Sequence, residues 1–472
     1  MKLIISNIIM KRNNIKNIAR TLLFCSLIVF LAGCERNTDW IDEGLNIDPD
    51  SPADVPMKLL LPAIQQEMGY NLVGNNTART NNIWTQHFDG VSRQAYTEAR
   101  YQLTPADVNN VWGSIYASML INSQLIIDKS KTEGQESPHY AGVAQVLQAT
   151  TLGMTTDLFG DIPFSEALKG SENILRPSYD SQEAIYNTIF SLLDDAVTNL
   201  NSPSNVLDVE GDVCFGGDID NWIKAANSIK ARHYLQLSNQ LGNQAYTLAL
   251  AALQNGFTSN ADDFLVPFED ANRNPLFQFM EQRTDIRMAS TFVDLLIASD
   301  DPRLPFYVAE NGDGEFVGSV IGSQNESASW PGDYIAGPSA SVPMMTYSEL
   351  KFIEAEARFV LGQAGAQEAY EDAVAASVLR VTGEANTAWL DANINGDPVT
   401  LEKIIQQKYI DGVATNQPYA DWRRTGLPVI TLHPDAVISN IPTRFPYAQS
   451  EIDNNRENVP SVTISDKLWW DQ

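Results

Sequence analysis

The sequence is poor in the residues that redox and metal chemistry need. Three cysteines in 472 residues cannot build a disulfide framework. Cys25 and Cys34 fall near the N-terminus, which leaves Cys214 alone in the body of the chain. The four histidines (His87, His139, His233, His433) include no pair three or four residues apart, so a histidine-based zinc or iron centre lacks its usual ligands. Basic residues are scarce too. Against 59 Asp and Glu there are 31 Lys and Arg, a net charge of −28 that repels phosphate backbones and argues against nucleic-acid binding. A Gly-x-Ser-x-Gly elbow, a Gly-Lys-Ser/Thr phosphate loop, a His-Glu-x-x-His pair and a dinucleotide glycine motif are all missing. The expectation is a protein without cofactor and without catalysis. A two-carboxylate glycosidase is the one chemistry so acidic a chain leaves open.

What is present is ample apolar material, 44% hydrophobic against 19% charged residues, enough for one large or two ordinary domains. Lys2, Lys11, Arg12, Lys16 and Arg20 precede the apolar run Thr21 to Ala32, which ends in Leu31-Ala32-Gly33-Cys34. A basic stretch followed by about a dozen apolar residues reads as a signal peptide, and the run is too short for a bilayer-spanning helix. Small residues before a cysteine resemble a bacterial lipoprotein processing site. The expected organisation is therefore a leader over 1–33, a lipid anchor on Cys34 and a polar acidic tether over 34–56, followed by a folded domain over 57–472. Losing the leader's five positive charges takes the net charge from −28 to −33. Acyl chains contribute roughly 0.8 kcal/mol per buried methylene, so several of them hold a soluble domain on a membrane.

Beyond the tether, apolar residues recur at three-and-four spacing over Val108–Ile127, Tyr140–Thr156, Gln182–Leu200, Asn221–Leu241, Ser348–Leu361 and Ala366–Val378. These read as paired amphipathic helices. Trp112 and Tyr116, the small residues Ala141 to Ala149, and Ala355 to Ala357 facing Ala369 to Ala376 give the punctuation of tetratricopeptide units. The expected fold is mostly α, a tetratricopeptide-like scaffold of helical repeats. Between the helices, Asn71–Leu103, Asn201–Asp220, Asp300–Pro343 and Pro428–Pro460 read as long irregular loops on one side of that scaffold.

Four stretches carry a family resemblance. They are Thr156-Asp157-Leu158-Phe159-Gly160-Asp161-Ile162-Pro163-Phe164-Ser165-Glu166-Ala167, Trp222 through Arg232, Thr346-Tyr347-Ser348-Glu349 with Glu354-Ala355-Glu356-Ala357, and Gln407-Lys408-Tyr409 with Trp422-Arg423-Arg424-Thr425-Gly426. Asp300-Asp301-Pro302-Arg303-Leu304 and Ile441-Pro442-Thr443-Arg444-Phe445 extend it. Together they resemble the SusD/RagB group of nutrient-binding lipoproteins, particularly its second large subfamily. Read physically, these motifs are scaffold. Phe159-Gly160 stops a helix, Asp161 holds the turn, Pro163 keeps the chain extended, and Arg424 bridges buried carboxylates such as Glu354 or Glu356. Capping by Asp157, Asp161 and Glu166 is favoured over a cluster for acid/base chemistry.

The resemblance implies a lipid-anchored outer-membrane protein facing the cell exterior. It would capture oligosaccharides or polysaccharides and pass them to a SusC-like, TonB-dependent transporter in a Bacteroidetes-type bacterium. Capture of oligopeptides and a protein-interaction scaffold are the alternatives. It further implies a shallow ligand face built from loops, with aromatic side chains as platforms for sugar rings. The candidates are Trp84, Arg93, Tyr96, Trp330 and Tyr334, with His87, Phe88 and Phe316 beside them; for each aromatic the plainer alternative is loop anchoring in the core. Trp112, Trp222 and Trp422 read as packing residues, and Trp469-Trp470 as either a clamp on the fold or a partner contact.

One formal motif is weighed separately. Asp391-Ala-Asn393-Ile-Asn395-Gly396-Asp397-Pro398-Val399-Thr400-Leu401-Glu402 fits the twelve-position calcium loop, with Asp391, Asn393, Asn395, Asp397 and Glu402 as candidate ligands. Proline at its eighth position and the absence of a second copy favour a polar turn with a capped helix over Leu401–Asp411.

Overall fold

A computed structural model describes residues 55–472 of the protein, and Pro56–Gln472 forms one compact unit. The expected signal peptide, the expected lipid-anchor site Cys34 and nearly all of the expected tether lie outside the described residues.

The expected helices form as the apolar periodicity requires. Helices span Pro138–Phe159, Gln182–Leu200, Ile219–Gln236, Tyr347–Val360, Ala366–Thr382 and Leu401–Asp411. The Val108–Ile127 stretch is a helical run from Asn109 to Lys129 interrupted by a wider π-type segment, Ile115–Leu120. Consecutive helices pack in pairs, Pro138–Phe159 against Gln182–Leu200 and Tyr347–Val360 against Ala366–Thr382. Small residues set their separation. A Cβ at Gly142 would stand 2.5 Å from Leu200 Cγ, and one at Gly153 would stand 2.2 Å from the His233 ring. Ala355, Ala369 and Ala373 share one core cluster with Phe352, Val374 and Ile404, the small-residue facing that the sequence predicts.

The family motifs are buried joints of this scaffold. Gly160, at φ 81°, ends the helix Pro138–Phe159. That end is held by Arg423, which donates to the carbonyls of Asp157 at 2.6 Å and Thr443 at 3.0 Å, and by Arg444, which donates to Phe159 O. Arg232 makes a two-pronged contact with Glu349 at 2.7 and 2.6 Å. Arg424 chelates Glu356 and reaches Asp421 at 3.0 Å, while Lys408 also pairs with Asp421. Glu354, the other carboxylate proposed for Arg424, binds Lys351 and Arg358 instead. Arg303 is fully buried among Asp301, Ser377 and Gln407. The carboxylates of the first motif are dispersed. Asp157 accepts from Tyr186 Oη at 2.6 Å, Asp161 from the Gln182 amide at 2.8 Å, and Glu166 from Ser178.

One expectation is overturned. Asn71–Leu103 is largely helical, with helices Asn76–Trp84 and Arg93–Ala99. The first hides from a periodicity search because six of its nine residues are polar while eight of the nine are buried. Asn81, Asn82 and Thr85 are each at most 1% exposed, and all hydrogen-bond to protein groups. Buried polar groups survive where hydrogen bonds replace water.

Strands are few and short. β1 (Phe88–Gly90) pairs antiparallel with β3 (Ile286–Met288), and β2 (Phe264–Val266) with β4 (Val342–Met345). Gly90 is required: a Cβ there would sit 2.0 Å from Ala95 O. The Asn201–Asp220 loop is ordered by buried Asp212, which accepts from Gln65, Cys214, Gly217 and the Trp222 indole. Among the described residues no helix is long and apolar enough to cross a membrane.

Candidate functional site

Strand β3 and the two residues ahead of it contact two of the five predicted ligand residues, Arg93 and Trp330, and a third, Tyr96, shares the helix of Arg93. Arg93, exposed and at φ 47°, places Nε 2.9 Å from Asp285 Oδ1 and donates to Thr284 Oγ1 at 2.9 Å. Two residues on, Arg287 projects from β3 beneath Trp330, with its guanidinium 4.5 Å from the indole centroid. The same guanidinium donates to the carbonyls of Thr284, Ile286 and Glu326. These bonds leave Arg287 5% exposed and fix the angle at which half-buried Trp330 stands. Tyr96 lies three residues after Arg93, on the helix Arg93–Ala99. Its hydroxyl donates to Asp435 Oδ2 at 2.6 Å, its ring meets His433 edge-on at 5.7 Å, and Arg100 stacks on it at 5.5 Å. The surface thus has two partly open rings, each backed by a guanidinium, and the exposed cation Arg93.

Beneath it the 317–329 loop continues the β1–β3 ribbon, since Ser319 N and Met288 N donate to Met288 O and Ser329 O. Ser319 Oγ donates at 2.6 Å to Asp89, whose carboxyl is 1% exposed. Burial pushes the Asp89 pKa up to about 6, against the opposing pull of the Ser319 hydroxyl and the Gly322 amide.

Trp84 must be reassigned. It is 1% exposed, its indole N–H donates to Glu98 O at 3.0 Å, and Tyr419 and Phe445 pack edge-on against it. Its helix turns it inward, so it offers no platform. His87 and Phe88 are likewise fully buried; His87 stacks on Tyr409 at 3.8 Å, and burial lowers its pKa to about 3. Phe316 is half-buried. Tyr334 belongs elsewhere, in a cleft of about 750 Å³ beside Arg380, to which it is hydrogen-bonded at 2.7 Å. Of the remaining tryptophans, Trp112 and Trp222 are buried, and Trp422 stacks on Tyr419. Trp470 is fully buried against Tyr186, Leu237 and Leu468, with Arg423 over its ring.

The calcium-loop residues follow the capping alternative. Asp391 and Asn393 lie within the helix Thr387–Asn393, Asn395 donates to Asp391, Asp397 pairs with Lys403, and Thr400 caps Leu401–Asp411, which holds Glu402. Among the described residues, no group of three or more His, Cys, Asp or Glu is arranged to hold a metal ion.

Arg287, Thr284, Asp285 and Asp435 were not legible as site residues. Asp-Ile-Arg-Met is too short to show strand alternation, and nothing in sequence joins it to residue 330 or 435.

The family model SusD-like_2, described as "Starch-binding associating with outer membrane", matches residues 49–448. The chain belongs to this SusD-like family. A solved chitin-binding protein superposes with TM-score 0.77 at 26% identity, covering 88% of this chain and 100% of its own. A SusD/RagB family protein from Bacteroides thetaiotaomicron gives 0.75 at 25%, covering 89% and 99%. A chitin-binding SusD homologue from Flavobacterium johnsoniae, at 22% identity and TM-score 0.76 over 88% and 98%, shares the fold. No curated protein matches the sequence. At the level of the family, the function is binding of nutrients or glycans in association with the outer membrane.

Proposed function

We propose that this SusD-like protein is a non-enzymatic surface lipoprotein that captures oligosaccharides on the face carrying Arg93, Tyr96 and Trp330. It then delivers them to a SusC-like, TonB-dependent outer-membrane transporter. The observation that carries the reading is the pair of partly open rings, Tyr96 and Trp330, each with a guanidinium against it, together with the exposed, hydrogen-bonded pair Arg93 and Thr284. Aromatic faces pack against sugar C–H groups, and charged and amide edges serve the hydroxyls. Each stacked ring adds about 0.5–1.5 kcal/mol beyond burial, which places affinity in roughly the micromolar-to-millimolar range. Weak capture suits a carrier that must release its cargo. Lipid attachment at Cys34 and an outward orientation belong to the same proposal, supported by the leader pattern and the family. Oligopeptides are the alternative cargo, because the strongly acidic chain tolerates cationic ligands.

The test is retarded native electrophoresis and calorimetry of the purified protein against starch, chitin and other glycans, and against peptides. Retention by one glycan class, weakened roughly 2- to 13-fold by Trp330→Ala, is the expected result. Binding of peptides alone moves the protein to peptide capture. Binding unaffected by both Trp330→Ala and Tyr96→Ala removes this face from the account.

A further inference from the structure

The cleft that holds Tyr334 is a separate feature, and its chemistry is unfinished. Six elements meet there: the turn at Asn260, Asp263 ahead of β2, the short helices ending at Tyr307 and containing Tyr334, Arg380 on Ala366–Thr382, and Asp411 closing Leu401–Asp411. Arg380 donates to Asp411 Oδ1 at 2.7 Å and to Tyr334 Oη at 2.7 Å, yet its Nε–H has no partner. Tyr307, 1% exposed, has an unpartnered hydroxyl, and Asn260 Oδ1 is buried and unpartnered as well. An unmet buried polar group costs roughly 1–3 kcal/mol, and three lining one cleft need a common explanation. At about 750 Å³ the space falls among volumes that hold small molecules.

We propose that this cleft is a second binding site, for a neutral polyhydroxylated molecule of mono- or disaccharide size. The unmet groups are a donor (Arg380 Nε), an acceptor (Asn260 Oδ1) and a hydroxyl that can serve as either (Tyr307). A sugar hydroxyl both donates and accepts, so a polyhydroxylated ligand matches this mixed set of donor, acceptor and hydroxyl. An anion would find the charge of Arg380 already cancelled by Asp411, with exposed Asp333 at the rim. A cation would find Asp411 already occupied by Arg380, and one oxygen of Asp263 taken by the Tyr347 amide at 2.6 Å. Burial holds the Asp263 pKa up at about 7, so this carboxyl is not a dedicated cation ligand at neutral pH. Leu265 and Val342, from the paired strands β2 and β4, supply apolar surface for the C–H face. Neither Arg93, Tyr96 nor Trp330 lines this cleft, so the inference stands whether or not the surface face binds glycans.

The experiment is ligand-observed NMR and calorimetry of the purified protein with glucose, N-acetylglucosamine and myo-inositol as probes. It compares the natural sequence with Tyr307→Phe, Ala340→Trp and Trp330→Ala. The expected result is millimolar or tighter binding of at least one probe. That binding weakens about tenfold in Tyr307→Phe and is lost in Ala340→Trp, which fills the cleft, while Trp330→Ala reports separately on any share of the binding held by the surface face. Tyr307→Phe removes an unmet hydroxyl, so its melting temperature is unchanged or raised, which separates lost binding from lost folding. Absence of binding by all three probes, binding that both cleft variants leave intact, or loss only in Trp330→Ala would overturn the proposal.

Discussion

Trp84 and Trp330 share a residue type and nothing of their surroundings. Trp84 lies between Tyr419 and Phe445 with its N–H satisfied by a carbonyl, so Trp84→Ala leaves a cavity and costs about 3–5 kcal/mol in denaturant unfolding. Trp330 is half-buried over Arg287. Trp330→Ala is expected to cost no more than about 2 kcal/mol of stability while carrying most of the binding loss. Equal destabilisation by the two would contradict the assignment of one to the core and the other to the surface. His87 makes a second residue-level prediction. Buried and neutral, with its pKa lowered to about 3, it takes up no proton in the folded state until far below the unfolded value near 6.5. Its contribution is therefore complete above pH 6.5 and lost as pH falls from there toward 3. Between pH 7 and 5 this linkage amounts to about 2 kcal/mol, so His87→Phe should lose about that much less over the interval in paired urea titrations. Parallel titration curves for the two proteins would refute the linkage.

Among the elements, the helix Pro138–Phe159 shows how the motifs work. Its length buries small residues against two neighbours, and its end is held by arginines from segments more than 260 residues later in the chain. Gly153→Ala drives a methyl into the His233 ring and should destabilise by about 1–3 kcal/mol, read as a lowered urea midpoint at unchanged slope. The buried joint Arg424–Glu356–Asp421 predicts a sharper effect. Arg424→Ala strands the Glu356 carboxylate, which is 1% exposed, while Asp421 keeps Lys408, at a cost of about 3–5 kcal/mol. The double variant Arg424→Met with Glu356→Leu should recover part of that loss. A single variant with natural stability would show that the joint is dispensable. The helices that carry these joints were legible because an apolar stripe recurs along them. Asn76–Trp84 was not, since its burial is satisfied by asparagine and threonine hydrogen bonds that leave no hydrophobic period. The candidate face was legible only in pieces. Arg93, Tyr96 and Trp330 stand out as aromatics and a cation in polar sequence, but Arg287, which orients Trp330, announces itself only through strand pairing.

At the largest scale, residues 56–472 pack helices in pairs, fixed by buried ion pairs, and present two kinds of polar aromatic surface. One is a face of two guanidinium-backed rings; the other is a half-open cleft with unmet hydrogen-bonding atoms. The family places this architecture among outer-membrane nutrient binders. The net charge of −28 keeps the protein soluble and discourages anionic cargo, in agreement with neutral glycans. The central claim is that a glycan is captured on the face of Arg93, Tyr96 and Trp330. Its most direct test is a crystal structure of the protein soaked with an oligosaccharide retained in the electrophoretic screen. The account predicts sugar density stacked on the open faces of Trp330 and Tyr96, with a hydroxyl within hydrogen-bond distance of Arg93 or Thr284. Sugar bound only among the helical pairs, or this face empty while the saccharide occupies another surface, would contradict it.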